Sequence, residues 1–577
     1  MKKMIAILLT LSMITAIAGC KEKSKETTTE ETESSTTEVS ETEASSESES
    51  ESETESETSA TSSETEESSE TKGPSVRDLT APKRPKDYSV SSDFKITEGD
   101  AENLQFFMIS EPRVAITGDS QDQSAPAHCI YKSVDKFDFF PNTIEGYEQL
   151  WNSVQGNGES LDSSYNDAFD TQRPIFIKNS ESGTLTKDYF MESRTHIFRA
   201  DSKYLSYYMT QNYTDSAVDN GSIKTFNYRS SDGCPLNIND VVTNRAGFAD
   251  FIVEYVTNSD AYDYTGDSAK KIAELLKNEN ADVEFLLGYD AIYLVSAETN
   301  SYYADIIKIP AMYCGDYLDL SYFGATPKYY TLSSDNYSRI TWDLNGDGKL
   351  EEIYPEFEKD EYGNIINMNL VLDGTSKTPV PSGDIGEVDG GLYFVGMKLM
   401  KTDSGFYAYI ELSPEEADSY VYVFNFNGSA FTYVNYFIGN LGNESCYDPD
   451  NFKVSHLTDL FGTGMVSYNC SVISHGGLPI VVDAFGSKFG IGFAKVDISC
   501  NEIDKEGHQI GTYTIKAGSA CYCTGLDLEG KRIRLMVLGE DETKNTEVEL
   551  FASNEGNHLV IGAQDQNEAF YGLRYAG

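Results

Sequence analysis

Oxygen-bearing side chains stand at four of the five alternate positions in the stretch "DLNGDGKLE", residues 343–351. Asp343, Asn345 and Asp347 stand at positions 1, 3 and 5 of a calcium-binding loop. Lys349 would offer its backbone carbonyl, and Glu351 stands at position 9. Because Ca²⁺ takes about six to eight oxygen ligands, this clustering predicts a calcium site formed by these five residues.

The same stretch is not an EF-hand. An EF-hand needs an acidic residue at position 12, and Tyr354 stands there. The flanking segments "NYSRITW" and "EEIYPEFE" have the composition of strands. The loop resembles the short calcium loops of integrin-like (FG-GAP or VCBS) β-repeats, which implies a structural ion held at about 10⁻⁴ to 10⁻³ M. The alternative is a polar turn that binds no ion.

No group of residues predicts a reaction. Ser133-x-x-Lys136 and Ser334-Asp335-Asn336 match two motifs of penicillin-interacting serine enzymes, but about 200 residues separate them and the third motif is absent. No glycine-rich phosphate loop follows a strand. The histidines lack metal-ligand spacing: His128, His196, His456, His475, His508 and His558. The sequence leaves enzymatic activity open and favours its absence, so no catalytic residue is assigned.

The N-terminal residues predict export and lipidation. Lys2 and Lys3 precede an apolar run that is too short to span a membrane comfortably. The run ends in Ile17-Ala18-Gly19-Cys20, which resembles the lipobox of bacterial lipoprotein signal peptides. Residues 1–19 are therefore the predicted signal peptide, and Cys20 is the predicted lipidation site. Two acyl chains on it would hold the protein stably at the membrane.

A polar segment follows Cys20. Residues 21–71 are almost entirely Ser, Thr and Glu, with eighteen Glu and three Lys. Such a segment has little apolar surface to bury and repels itself, so residues 20–73 are predicted to form a disordered linker. A lipid, a linker and a folded remainder fit a Gram-positive lipoprotein at the outer face of the cytoplasmic membrane, exposed to the cell wall.

The charge limits the possible partners. The chain carries a net charge of −50, of which residues 1–20 contribute +2 and residues 21–71 contribute −15, leaving −37 for residues 72–577. This excess argues against nucleic acid as a partner and favours encounter with cationic molecules. An acidic surface without a specific partner is the alternative. Eight cysteines remain beside Cys20, and the sequence determines neither their disulfide state nor the oligomeric state.

Residues 74–325 predict an α+β domain. Apolar spacing indicates helices near 143–154, after Asn244 and from Ser268. Extended segments lie between and after them, including a hairpin expected to turn at Asp232-Gly233. The order of a Tyr-rich strand (204–213), "LNINDVV", an amphipathic helix and "YDAIYLV…SYYADIIKIP" resembles the RsiV-type extracellular domain of lysozyme-sensing anti-sigma factors. The resemblance covers mainly residues 165–325.

That resemblance implies a surface domain that binds a cationic wall-active protein. Members typically carry a Gly-Gly-Ala-His-Gly-like turn after the Tyr-rich strand, whereas this chain has "YTDSAVDNG" at 213–221. A binding surface formed by that turn is therefore not expected here. The chain also lacks the transmembrane helix and sigma-binding part of such sensors, so by itself it is expected to bind rather than to signal.

Residues 330–577 alternate strand-like and turn-like segments, which predicts a mainly antiparallel β region. The sequence does not separate a four-bladed propeller from one or two antiparallel β-domains. The leading hypothesis is a membrane-anchored extracellular binding lipoprotein whose ligand is a cationic protein such as lysozyme. A cell-wall polysaccharide hydrolase or deacetylase with an unrecognised site, and a passive structural surface protein, are the alternatives.

Overall fold

Antiparallel β-sheet is the main secondary structure of the described chain, with a few helices near its N-terminal side. The structure is a computed structural model. It describes residues 87–577 apart from 119–124, 258–264, 298–303, 386–390, 415–416, 442–448, 450–451, 473–475, 528–530, 556–557, 562–563 and 576–577. The predicted signal peptide, Cys20 and the predicted linker lie outside this range. Among the described residues no helix is long and apolar enough to cross a membrane.

The first part of the chain contains eleven described strands and five described helices. The strands are β1 (Thr97–Glu98), β2 (Phe106–Ser110), β3 (Arg113–Thr117), β4 (His128–Phe139), β5 (Tyr189–Ala200), β6 (Tyr204–Thr214), β7 (Asp219–Arg229), β8 (Phe285–Leu287), β9 (Ala291–Ala297), β10 (Ala304–Pro310) and β11 (Ala325–Thr326). The helices are α1 (Pro141–Ile144), α2 (Glu148–Glu181), α3 (Ile238–Val241), α4 (Arg245–Thr257) and α5 (Thr265–Lys277).

Strands β2 to β7 form one sheet, and α2 connects two of them. The order is β2-β4-β5-β6-β7, with β3 also paired to β4. Strands β4 and β5 run parallel because α2 carries the chain back between them, while the other pairs are antiparallel. Val154, Leu161 and Phe169 of α2 share a buried core with Ile130 and Met191 of the sheet. Strands β8, β9 and β10 form a separate antiparallel sheet.

The helix expected near 143–154 is divided in the structure, because α1 ends at Ile144 and α2 begins only at Glu148, from where it extends to Glu181. Gly156, Gly158 and Pro174 oppose its continuation. Buried side chains at helical spacing outweigh that local preference, since Leu161, Tyr165 and Phe169 all face the sheet. The helices expected after Asn244 and from Ser268 are confirmed as α4 and α5.

The chain does turn at Asp232-Gly233, but the expected hairpin does not form, because only the segment before the turn, β7, is a strand. A single bridge joins Tyr228 to Pro235. Asn237 then caps the short helix α3, because its side chain accepts a hydrogen bond from the backbone N–H of Asn239. The cap diverts the segment "NINDV" from a strand into a helical turn.

The remaining chain is almost entirely β. Its strands are β12 (Tyr330–Ser333), β13 (Ile340–Trp342), β14 (Glu351–Lys359), β15 (Ile365–Leu372), β16 (Ser376–Pro379), β17 (Tyr393–Thr402), β18 (Gly405–Ser413), β19 (Tyr420–Phe426), β20 (Phe431–Ile438), β21 (Phe452–Thr458), β22 (Gly464–Ser471), β23 (Ile480–Val481), β24 (Ile491–Ala494), β25 (Ile498–Ile503), β26 (Gln509–Ile515), β27 (Ala520–Asp527), β28 (Arg532–Val537), β29 (Thr546–Glu555), β30 (His558–Ile561), β31 (Gln564–Asp565) and β32 (Phe570–Tyr571), with one short helix, α6 (Gln566–Ala569).

These strands form sheets of three to nine strands. Strands β13 to β16 make a four-stranded sheet in chain order, and β12 joins β17 to β20 in a five-stranded sheet. Strands β21 to β23 make a third sheet, and β24 to β32 contribute to the largest. The coarse prediction, α+β with mainly antiparallel pairing, is confirmed.

One large buried core joins the helices to the sheets that follow. Phe248 and Ile252 of α4 belong to it together with Trp342, Met368 and Leu399. The candidate metal loop therefore starts from a strand whose Trp342 is fully buried, with its indole N–H donating to the Tyr330 hydroxyl at 2.9 Å. That anchor holds the loop at the surface of a packed core.

Candidate metal centre

The calcium loop predicted from the sequence lies in a hairpin between β13 and β14. Trp342 pairs with Glu351 across the two strands, so the start and end of the loop lie side by side. As a result, one carboxylate oxygen from each of Asp343, Asp347 and Glu351 lies within 4.8 Å of the other two. These three are hard oxygen ligands of the kind that Ca²⁺ takes.

Backbone hydrogen bonds shape the loop around Asp343. Its Oδ1 accepts from the N–H of Gly346 at 2.7 Å, and its Oδ2 accepts from the N–H of Gly348 at 2.9 Å. Both glycines have a left-handed backbone, with φ of +76° and +82°. A side chain at either position would be strained, so glycine is the residue that permits this turn.

Glu351 is the buried member of the group, with 7% of its surface exposed. Its Oε2 accepts a hydrogen bond from the N–H of Leu344 at 2.7 Å, and its Oε1 accepts from Nδ2 of Asn345 at 3.0 Å. Burial raises the pKa of Glu351. The hydrogen bond from Leu344 opposes this rise, and the charges of nearby aspartates add to it. A bound cation would offset both the cost of burying the charge of Glu351 and the repulsion from the nearby aspartates.

The pKa of Asp347, an exposed carboxylate of the same group, shifts in the opposite direction. The backbone N–H of Lys349 donates to Oδ1 of Asp347 at 2.8 Å, and this bond is the largest cause of the lowered pKa of Asp347. The ammonium of Lys349 lies 3.3 Å from Oδ2 of the same carboxylate. Asp347 is therefore held ionised and available to a cation.

The structure brings the five predicted ligands together unequally. Asp343, Asp347 and Glu351 converge, whereas Asn345 uses its amide to orient neighbours. Its Oδ1 accepts from the N–H of Asp347 at 2.8 Å, and its Nδ2 donates to Glu351. Lys349 participates through its N–H and its ammonium, and both contacts go to Asp347.

Sequence reasoning missed Asp373, which lies beside this loop. Asp373 follows β15, and its Oδ1 accepts from the N–H of Glu352 at 2.9 Å. Its charge contributes to the raised pKa of Glu351. The dipeptide Asp373-Gly374 signals a tight turn, and both residues have positive φ. Only the pairing of β14 with β15 brings this turn to the loop.

A second group with metal-ligand atoms was also missed. Asp504, Glu506 and His508 lie in the turn between β25 and β26, with ligand atoms within 4.8 Å of one another. Oδ1 of Asp504 accepts from the N–H groups of Glu506 and His508 at 3.1 and 2.8 Å. In the sequence, the alternate spacing of these three residues around Gly507 is the pattern that could have indicated this group.

Three residues that matched serine-enzyme motifs make contacts outside those motifs. The hydroxyls of Ser133 and Ser110 hydrogen-bond to each other, and Nζ of Lys136 lies 3.6 Å from Oε2 of Glu111. Asp335 accepts a hydrogen bond from the hydroxyl of Tyr255 at 2.7 Å, deep in the large core. Each of these three side chains is therefore engaged with a neighbouring residue.

Among the described cysteines, five are buried free thiols: Cys129, Cys314, Cys500, Cys521 and Cys523. Burial raises the pKa of Cys500 to about 11 and the pKa of Cys523 to about 12. Both therefore remain protonated near neutral pH and are poor nucleophiles. Cys446 lies outside the described residues.

The chain is distantly similar to solved structures. No protein-family model and no curated protein matches this chain. Among solved structures, a DUF3298 family member from Bacteroides fragilis aligns at 17% identity and a TM-score of 0.26, covering 38% of this chain and 95% of its own. A DUF3298 family protein from Pseudomonas aeruginosa aligns at 12% identity and a TM-score of 0.24, covering 39% and 99%. Such low TM-scores establish neither a common fold nor a common function.

Proposed function

We propose that this protein is a lipid-anchored binding protein at the outer face of the cytoplasmic membrane of a Gram-positive bacterium. Lipidation of Cys20 would tether it, and the Ser/Thr/Glu-rich linker would separate the anchor from the folded part. The "IAGC" sequence after a short apolar run supports export and lipidation.

The observation that carries the binding proposal is the charge of −37 on residues 72–577. A surface of this sign attracts cationic proteins and repels nucleic acid. The resemblance of residues 165–325 to the RsiV-type extracellular domain points to the same kind of ligand. We therefore take a cationic wall-active protein, with lysozyme as the probe, as the proposed partner.

The loop at 343–351 is proposed to hold calcium in a structural role, as the resemblance to integrin-like loops implies. Asp343, Asp347 and Glu351 would supply carboxylate oxygens, and water would complete the coordination. Because the loop joins β13 to β14 above the large core, a bound ion would brace that hairpin. None of the three carboxylates is needed for a reaction in this proposal.

The test is a calorimetric titration of the full chain with lysozyme, in the presence of calcium, at physiological and then at high salt. Saturable binding that persists at high salt would support a shaped interface, because charge attraction alone is screened over about 8 Å at physiological ionic strength. Binding that disappears with salt would indicate charge alone. A flat titration would remove lysozyme-like proteins as partners.

A further inference from the structure

Four Asn-Gly dipeptides occur in the chain, and two of them lie in exposed turns. Asn157-Gly158 lies within α2 and Asn220-Gly221 within β7, where regular backbone structure fixes the conformation. Asn345-Gly346 lies in the candidate metal loop, and Asn427-Gly428 joins β19 to β20. Asparagine before glycine is chemically labile, because glycine has no side chain to hinder attack by its amide nitrogen on the asparagine side chain.

This attack leads to deamidation and needs only water as a co-reactant. The glycine nitrogen bonds to Cγ of the asparagine and loses its proton, while the bond from Cγ to Nδ2 breaks and ammonia leaves. Water then opens the resulting five-membered imide at either carbonyl, which gives aspartate or isoaspartate. A hydrogen bond that fixes the glycine N–H elsewhere must break before this nitrogen can turn towards Cγ.

The two exposed dipeptides have similar surroundings in other respects. Both glycines have a left-handed backbone, with φ of +76° for Gly346 and +93° for Gly428, and a Cβ added to either would meet no atom within 4 Å. In each dipeptide Oδ1 of the asparagine accepts from the N–H two residues on, from Asp347 at 2.8 Å and from Ser429 at 3.1 Å. Access to water and glycine conformation therefore do not distinguish them.

In the candidate metal loop, hydrogen bonds hold both nitrogen atoms that would react. The N–H of Gly346 donates to Oδ1 of Asp343 at 2.7 Å, and Nδ2 of Asn345 donates to Oε1 of Glu351 at 3.0 Å. The carboxylate of Asp343 is itself fixed, because its Oδ2 accepts from the N–H of Gly348 at 2.9 Å. The fold therefore opposes attack at Asn345.

In the turn between β19 and β20, both nitrogen atoms are available. Within the part of the chain that the structure describes, neither the N–H of Gly428 nor Nδ2 of Asn427 donates to a protein acceptor. Oδ1 of Asn427 accepts from the N–H and the hydroxyl of Ser429 at 3.1 and 3.0 Å, and from the N–H of Ala430 at 3.1 Å. Such donors stabilise the negative charge that this oxygen acquires during the attack.

We propose that Asn427 is a site of spontaneous deamidation in the folded protein and that the fold protects Asn345. The reaction requires neither the lipid anchor nor a partner, so it does not depend on the proposed function. Deamidation adds a negative charge to the turn, and isoaspartate also adds a CH₂ group to the backbone between Phe426 and Phe431. These two residues pair across β19 and β20 within the large core, so the ends of both strands should loosen as the protein ages.

The test is peptide mapping by mass spectrometry of the full chain, kept folded at physiological temperature and pH with a chelator present. The increase in mass on exchange of an amide for a carboxyl group measures deamidation, and chromatography separates isoaspartate from aspartate. The peptide containing Asn427 should react at least about tenfold faster than the peptide containing Asn345, because a charge-assisted hydrogen bond must first break at Gly346. In urea, where the fold is lost, the two peptides should react at comparable rates.

A variant tests the protecting contact directly. Asp343→Ala removes the acceptor of the Gly346 N–H and should accelerate deamidation of Asn345 by about tenfold, with the rate at Asn427 unchanged. Asp541→Ala is the matched control, because Asp541 is also exposed and accepts from a backbone N–H, that of Thr543 at 3.1 Å.

Equal rates at Asn345 and Asn427 in the folded wild type, or no reaction at Asn427, would overturn the inference. A rate difference that persists in urea would also overturn it, because the sequence rather than the fold would then set the rates. This comparison uses only the wild type and decides the question even where Asp343→Ala fails to fold. In a folded Asp343→Ala variant, an unchanged rate at Asn345 would contradict protection by Asp343.

Discussion

The guanidinium of Arg574 lies against the carboxylate of Asp188, with Nη2 2.7 Å from Oδ1, although 386 positions separate them in the chain. The same Oδ1 accepts the backbone N–H of Cys129 at 3.0 Å. Nε of Arg574 donates to the carbonyl of Ala127, and the N–H of Ala127 donates to the carbonyl of Gly572 at 2.9 Å. The last described residues are thus tied to the beginning of β4.

Replacing Arg574 by Ala should destabilise the protein by about 1–3 kcal/mol, because it leaves the buried carboxylate of Asp188 without its strongest donor. The side chain of Asp188 is only 5% exposed. Urea unfolding followed by circular dichroism gives the midpoint. Lys516→Ala, which removes an exposed pair with Asp497, is the control and should leave the midpoint unchanged. An equal effect of the two changes would contradict a special role for Arg574.

A lanthanide can report on the loop at 343–351, because Trp342 immediately precedes Asp343. Terbium binding there should give emission sensitised by that indole, and calcium should displace it at about 10⁻⁴ to 10⁻³ M. Asp343→Asn should weaken binding by about tenfold. Glu506→Gln, in the second carboxylate-containing turn, should not change the emission. Emission that survives Asp343→Asn unchanged would place the ion elsewhere.

On acidification, the stabilisation of the protein by calcium should weaken at a higher pH than it would if Glu351 had the pKa of an ordinary glutamate. Burial, together with the charges of Asp343, Asp347 and Asp373, raises the pKa of Glu351 against the opposing bond from Leu344. The folded-state pKa of Glu351 lies above its unfolded value, so the free energy of unfolding decreases as the pH rises through that range and Glu351 ionises. A bound cation would offset this loss of stability.

The measurement for that pH effect is the calcium-induced shift of the unfolding midpoint at about pH 7.5 and about pH 5. The shift should be smaller at the lower pH, because protons then compete with calcium for Glu351. A shift of equal size at both pH values would mean that Glu351 does not bind the ion.

Anchoring through Cys20 predicts a change of cell fraction. Cys20→Ser should move the protein from the membrane fraction to the medium and abolish incorporation of labelled palmitate, because the proposed anchor is a diacylglyceryl group on this thiol. Immunoblotting of the fractions gives the distribution, and Cys234→Ser is the matched control. Retention of the Cys20→Ser variant in the membrane fraction would require a different anchor.

Much of the candidate metal centre could be predicted from the sequence, because its residues fall within nine consecutive positions. Asp343, Asp347 and Glu351 converge through bonds inside the loop and through one strand pair. The approach of Asp373 could not be predicted, since it depends on β15 pairing with β14.

The sequence alone determined the coarse α+β class, the two helices α4 and α5, and the residues that can offer oxygen ligands, because these depend on local spacing and composition. Only the tertiary structure decided that α2 continues past Gly156, Gly158 and Pro174, and that Arg574 meets Asp188. Each depends on strands or helices brought together from distant parts of the chain. Burial against such partners contributes more free energy than the local preferences that a short stretch of sequence displays.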